Sequence, residues 1–393
     1  MNKRLAWLKE SLEEGRFIVL ILMILIATSV MLMPKARQDV DPGMQMDTRY
    51  DYEKCRVIEV DDYDIDEDPY VEGIYIGRQN LKVEIITGEF SGEVIELENT
   101  VNRKYNYYGK EGKEMLVQVA SKDGDILNVQ IFSYSRDGLI YTLIGGFALI
   151  LLLIGGRKGF FALISLIFAM ILICYFMIPM VLKGYSPIVT ALAIAGITTI
   201  FNIILVSGAN KKSWAAIFGI IAGLLVATLL SALFGKLMHL SGINIEHAEE
   251  MMLLAGEGRL QVKEILIAGI IISSLGAIMD VGMSIASSVF EVHITNPKLN
   301  RYALYKSGMN VGRDVMGTMT NTLILAYAGS SLSTLMLFYM YQFTYYRLIN
   351  IDALGIEILQ GITGSIGLVL TIPITAWIAA SLAKTNSKRK IRK

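Results

Sequence analysis

Histidine and cysteine are scarce, three and two in a chain of 393 residues. His239, His247 and His293 are too scattered to build a metal-centred active site, which needs several convergent ligands. Cys55 lies in a polar region and Cys174 in an apolar run, so no disulfide is expected between them. No stretch reads GxxxxGKS or GxxxxGKT, which removes an ATP-driven pump within this one chain. Formal net charge is zero, and no basic groove accompanies Tyr105, Tyr107 and Tyr108, so nucleic acid is not an expected partner. The chain reads as a non-enzyme, and no cofactor is implied.

What the sequence does contain is long apolar runs. The hydrophobic fraction is 53% and mean hydropathy is +0.50, too apolar for an ordinary soluble protein. Eight runs, several longer than the roughly 18 residues that cross a bilayer, are expected as membrane helices. They cover about 17–33, 139–154, 159–182, 187–206, 212–234, 265–290, 315–339 and 361–383. Helix is required there because an unpaired backbone group in hydrocarbon has no water to bond. The first run reads as a retained anchor, since MNKRLAWLKESLEEGR before it is long and mixed in charge.

Lys and Arg collect on the cytoplasmic side of membrane proteins. With the N-terminus inside, 18 basic residues fall in cytoplasmic segments, among them Arg157, Lys158, Lys211, Lys212, Lys298 and Arg301. Five fall in the short outer loops: Lys183, Lys236, Arg259, Lys263 and Arg347. Both termini are therefore expected in the cytoplasm, including the basic tail 384–393. The aromatic cluster Tyr339, Tyr341, Tyr345 and Tyr346 suits an outer interfacial belt.

Residues 34–138 have a different texture. Alternating runs (CRVIEV, LKVEIIT, EVIELEN, MLVQVAS, ILNVQIFSY) are separated by Gly, Asn and Asp, which predicts about five short strands and tight turns. The expected fold is a small extracytoplasmic β-barrel of the OB or SH3-like type. Within it Asp61–Tyr70, DDYDIDEDPY, lacks the glycine a calcium loop needs for its sharp turn and is expected to be a solvated acidic loop.

The chemistry concentrates in 265–290 and 315–339. On a wheel advancing about 100° per residue, Ser273, Ser284, Ser287 and Glu291 fall within about 40° of Asp280. A central Asp costs about 3 kcal/mol on the insertion scale, while each Leu, Ile, Val or Phe gains about 0.3–0.6 kcal/mol. The twelve such residues in 265–290 therefore let the helix insert despite the charge. An ionisable group at that depth marks an ion or substrate path by default. The next run has a companion stripe, Asn310, Asp314, Gly317 and Asn321, and 187–206 adds Thr198 and Asn202. Thr371 and Thr375 beside Pro373 could add hydroxyls and a freed carbonyl to the same path. Asp280, Ser284, Asp314, Asn321 and Asn202 are the candidate ion- or substrate-binding residues. Ser and Thr also serve helix packing, at about 0.6–2 kcal/mol per contact.

Two further segments read structurally. Ala215, Gly219, Gly223, Ala227 and Ser231 recur every four residues and make a flat face for close helix contact. Residues 243–262, with an apolar face and Glu246, Glu249 and Glu250 opposite, predict an outer amphipathic helix. His247 and Glu250 there are too few to hold a metal.

LGAIMDVGMSIASSVFEV (275–292) and MNVGRDVMGTMTNTLILAYAG (309–329) resemble the YibE/F-like family of bacterial membrane proteins. IEVDD and ITGEFSGEVIELENT extend the resemblance more loosely. It implies a multi-pass protein of a bacterial cell membrane and makes Asp280, Arg313, Asp314 and Asn321 family-motif positions. It implies no substrate. Met279 and Gly282 stand where a more acidic version of the motif is found, which leaves Asp280 as the carboxylate there.

The expected architecture is thus a polytopic α-helical membrane protein with an outer β-barrel: an anchor at 1–33, the β-rich part at 34–138, seven helices over 139–383 and the tail. The expected function is a permease or secondary transporter for a cation or small polar solute. The competing expectation is a non-transporting scaffold, or the partner of a membrane or envelope protein, acting through the β-domain. A third, an intramembrane aspartyl protease, requires Asp280 and Asp314 to share a proton. The sequence puts Asp314 at the cytoplasmic edge, roughly ten residues of helix from Asp280, and neither lies in a GxGD context.

Overall fold

The computed structural model describes residues 49–243, 247–255 and 260–384, with Ile21, Met23, Ile24 and Thr28. The expected anchor at 17–33, the basic tail and part of 243–262 lie largely outside the described residues. The chain divides into two compact units, 39–150 and a second made of 1–38 with 151–393.

The first unit is an antiparallel half-barrel. Its strands are β1 (Arg49–Glu67), β2 (Tyr75–Ile85), β3 (Val94–Val101), β4 (Glu114–Lys122) and β5 (Asp125–Tyr134), in the order β3-β2-β1-β4-β5. Each expected run falls within or overlaps its strand. Period-two alternation puts Cys55, Val57, Leu81, Val83, Ile85, Met115, Val117 and Val119 into one core, all at 1% exposure or less. One strand is not short: β1 runs for 19 residues and pairs with both β2 and β4. It absorbs most of the acidic stretch, correcting the expected loop. Asp61 and Asp64 pair in register with Asn80 and Arg78 of β2, and Asp62 accepts hydrogen bonds from Gln79 and Tyr108. Beyond the strand end Asp68 is buried and ion-paired to Arg103. Just past the register shift between Asp61 and Asp64, Gly77 pairs with Ile65 at φ 134°, where a Cβ would sit 1.8 Å from the Asp64 carbonyl oxygen.

The helix α1 (Asp137–Ile171) is interrupted at Gly156 (φ 52°, ψ −126°), in the break expected between two runs. A π-helical turn (Leu172–Met177) and α2 (Ile178–Leu182) complete that 46-residue apolar stretch. In the second unit α3 (Pro187–Ser207), α4 (Lys211–Leu237), α6 (Val262–Thr295) and α10 (Asp352–Lys384) are each long and apolar enough to span a bilayer. Between them lie α5 (Ala248–Ala255), α7 (Arg301–Ser330), α8 (Leu332–Met340) and α9 (Tyr345–Ile349). The run 315–339 is not one straight helix, because α7 and α8 meet at a bend of 62°. Five described stretches qualify as spans, or six if the bent pair counts as one. Asn210 and Asn300 cap α4 and α7 by accepting from the backbone N–H groups of Ser213 (3.0 Å) and Ala303 (2.7 Å).

The core of this unit is a glycine seam. Ala215, Gly219, Gly223, Ala227 and Ser231 are all buried along α4 and pack on α10. A Cβ on Gly223 would lie 1.7 Å from Thr371 Oγ1 and 2.9 Å from the Gly367 carbonyl. One on Gly219 would lie 1.9 Å from Thr375 Oγ1. Ser231 donates to Thr363 at 2.8 Å. Thr371 and Thr375, both 0% exposed, are therefore seam residues, which overturns their expected place on a polar path. Loop contacts define two ends. At one, Lys384 Nζ reaches the Pro297 carbonyl (3.0 Å). At the other, Ser186 bonds Glu264, and Gly355 lies against Met238 and Leu240.

Candidate functional site

The polar stripe of α6 is on its open side. Ile271, Ile278, Ile285 and Val289 point into the core at 0% exposure, which turns Ser273, Gly276, Asp280, Ser284 and Glu291 outward. Nothing lies within 4 Å of a Cβ built on Gly276. Asp280 has no hydrogen-bond or ion-pair partner among the described residues.

Two helices flank this stripe. On one side Asn202 of α3, half-buried, donates to Met279 Sδ at 3.3 Å, and Ser207 approaches Met283 Sδ at 3.9 Å. On the other side stands α7. Its Tyr327 hydroxyl meets the Ser273 hydroxyl at 2.6 Å, and its glycines fix the register. A Cβ on Gly312 would meet Ile285 Cδ1 at 3.2 Å, and one on Gly308 would meet Val289 Cγ2 at 2.6 Å. That antiparallel alignment sets Asp314 level with Met283, about one turn from Asp280, and Asn321 level with Gly276, about one turn beyond it. The ten-residue separation expected from the sequence is corrected. It placed Asp314 at a membrane edge, whereas the tight turn 296–300 carries both helices back at nearly equal depth.

Asn310, Asp314, Gly317 and Asn321 are exposed along α7. Asp314 forms no ion pair with Arg313 among the described residues, so a local pair does not account for it. Asp280 and Ser284 are thus exposed on α6, and Asp314 and Asn321 on the adjacent α7, at similar depth. Asn202 is set beside them behind Met279. Thr198 stays buried on α3, its hydroxyl oxygen without a hydrogen-bond partner.

Sequence reasoning did not single out Tyr327 or Met283, and it named Met279 only as a departure from the family motif. Tyr327 lies about 140° around α7 from Asp314, off the polar stripe, so helical periodicity gives no sign of it. No group of three or more His, Cys, Asp or Glu with metal-ligand geometry occurs among the described residues. His247 meets Glu250 at 2.7 Å.

Such an arrangement does not suit lipid. Carboxylates and amides within membrane helices face other helices or water. Each of the two stripes carries a carboxylate whose oxygens are hard ligands of the kind cations take.

The family model described as YibE/F-like protein matches residues 143–385, more than half of the chain and the whole of both stripes. Searches of curated proteins and of solved structures returned no match.

Proposed function

The chain belongs to the YibE/F-like family of membrane proteins, and from that footing we propose that it is a permease or secondary transporter for a cation or small polar solute. The observation that carries this reading is the exposed carboxylate of Asp280, without a partner among the described residues and bracketed in depth by Asp314 and Asn321 on the neighbouring helix. An ionisable group held on one face of a membrane helix serves a pathway more readily than packing, because packing would have satisfied it. The bend between α7 and α8 adds to it, since interrupted helices are where transporters free backbone groups for ligands.

In this reading the membrane part has eight spans: the anchor, two from the stretch broken at Gly156, and the five that follow. Both termini lie in the cytoplasm of a bacterial cell, and the half-barrel lies outside. Its order, with long β1 shared between β2 and β4, supports the reading as an OB-type barrel. The chain acts without catalysis or cofactor, and its partners are the bilayer and the solute.

A second reading has its own support. β3 and β5 are unpaired edges lining a groove of about 730 Å³ between residues 95–100 and 126–131. Open edges accept added strands, which favours a scaffold or envelope partner.

One assay separates the two. Purified chain in liposomes is tested for uptake with cation-sensitive dyes, comparing wild type, Asp280→Asn and a deletion of residues 40–135. Loss of uptake in Asp280→Asn at unchanged expression supports the permease. Undiminished uptake in that variant removes it.

A further inference from the structure

The half-barrel runs into α1 without a linker. β5 ends at Tyr134 and α1 begins at Asp137, so two residues separate them. The junction is held in place. Ser135 donates to the Asp137 carboxylate at 2.8 Å, Lys54 of β1 pairs with that carboxylate at 2.6 Å, and the Ser135 N–H donates to the Glu114 carbonyl. Beyond it α1 is bare. Leu139 and Leu143 are 77% and 76% exposed, and Ile140, Ile144 and Phe147 are exposed with them, on a stretch apolar enough to span a bilayer. Hydrocarbon has to cover those side chains. Each helical residue advances only about 1.5 Å, so a helix that enters lipid within its first turn sets the end of β5 at headgroup level.

What stands at that level is aromatic and basic. Lys113 Nζ lies 4.0 Å from the centre of the Tyr134 ring, and the Arg136 guanidinium lies 6.0 Å from it. The Tyr134 hydroxyl donates to the Asn106 and Tyr108 carbonyls at 3.2 and 3.1 Å, and Tyr107 meets the ring edge-on. Those contacts tie the loop 102–113 to the junction. Lys110, in the turn that closes on Lys113, lies over Tyr108. Lys110, Lys113 and Arg136 are all exposed. Among the acids nearby, Glu114 is matched by Arg56 and Asp137 by Lys54. Asp62, bonded to Tyr108, and Glu111 offset part of the charge of the three cations. A cation held over a ring keeps its N–H donors for an anion on its other side.

We propose that this end of the half-barrel is a docking surface for anionic phospholipid headgroups, with Lys113 and Arg136 as their ligands on either part of the Tyr134 junction. A zwitterionic headgroup brings its own cation to the surface and gains little there. One with net negative charge gains about five-fold in local affinity for each Lys or Arg it meets. In the orientation proposed above these cations stand on the outer side, where Lys and Arg are sparse, so the charge bias that orients the helices does not account for them. The inference does not depend on whether the chain transports anything.

The test is hydrogen–deuterium exchange of the full chain in nanodiscs of phosphatidylcholine, with or without phosphatidylglycerol. Amides of residues 102–113 should exchange about five-fold more slowly where phosphatidylglycerol is present. Lys113→Gln/Arg136→Gln should lose that difference, and Lys113→Arg/Arg136→Lys should keep it. Lys298→Gln/Arg301→Gln, in the other compact unit, should also keep it. Should the glutamine pair fail to fold, high salt applied to wild type must erase the difference, because exposed charges are screened. Equal exchange in both kinds of disc overturns the proposal. So does a difference that survives in the glutamine pair or at high salt, or one that vanishes in the Lys298/Arg301 control.

Discussion

Gly312 on α7 lies against Ile285 on α6, and this contact holds the two acidic helices in register. A Cβ at Gly312 would also come within 2.1 Å of Ile372 Cγ2, so the position admits no side chain without a shift. Gly312→Val is expected to destabilise by about 1–3 kcal/mol through overpacking. The check is the thermal unfolding midpoint in detergent. A midpoint equal to wild type would mean that α7 is not packed this closely.

The seam between α4 and α10 predicts a sharper contrast. Gly223→Val drives a side chain into Thr371 and the Gly367 backbone, and should abolish recovery of folded protein. Gly276→Val, on the open stripe of α6, meets nothing within 4 Å and should be recovered at wild-type yield. Size-exclusion profiles of the two variants test this directly.

Arg103 beside buried Asp68 holds its carboxyl below the usual carboxylate range. A carboxyl lowered by folding adds stability above its unfolded pKa, and that stability is lost as pH falls through the folded value. The half-barrel should therefore loosen at acidic pH, read as faster amide exchange at the end of β1. In Arg103→Gln that pH dependence should weaken, with protection already reduced at neutral pH.

The two thiols should differ in reactivity. Cys55 is fully buried, and burial pushes its thiol up to about 11, so little thiolate exists at neutral pH. Cys174 is exposed on the apolar stretch. N-ethylmaleimide, which enters membranes, should label Cys174 in folded protein and Cys55 only after unfolding. Labelling of Cys55 in the native state would contradict the core of the half-barrel.

Local pattern made the strands legible: MLVQVAS and ILNVQIFSY alternate over part of their length and became β4 and β5. The four-residue repeat from Ala215 to Ser231 likewise announced the seam. What stayed hidden depended on distant partners. The acidic stretch reads as a loop until β2 is seen to pair with it and Arg103 to meet Asp68, and Thr371 reads as pathway until Gly223 is opposite. The level of Asp314 could not be read without the turn at 296–300, whereas the bend at Ser331 follows Gly329 and Ser330, a Gly/Ser kink signal that the apolar run overshadowed. The candidate residues were legible because polar side chains in hydrocarbon are conspicuous. That Asp280 and Asp314 stand at nearly the same depth was not, since relative depth is a property of helix pairs.

The central claim is that water, not lipid, meets Asp280. In a Cys174→Ser chain, where Cys55 stays unreactive, Asp280→Cys and Ile278→Cys can be exposed in membranes to a charged, membrane-impermeant maleimide. The account predicts labelling at position 280 and none at 278. Protection of both positions would contradict it, leaving the stripe sealed against neighbouring protein.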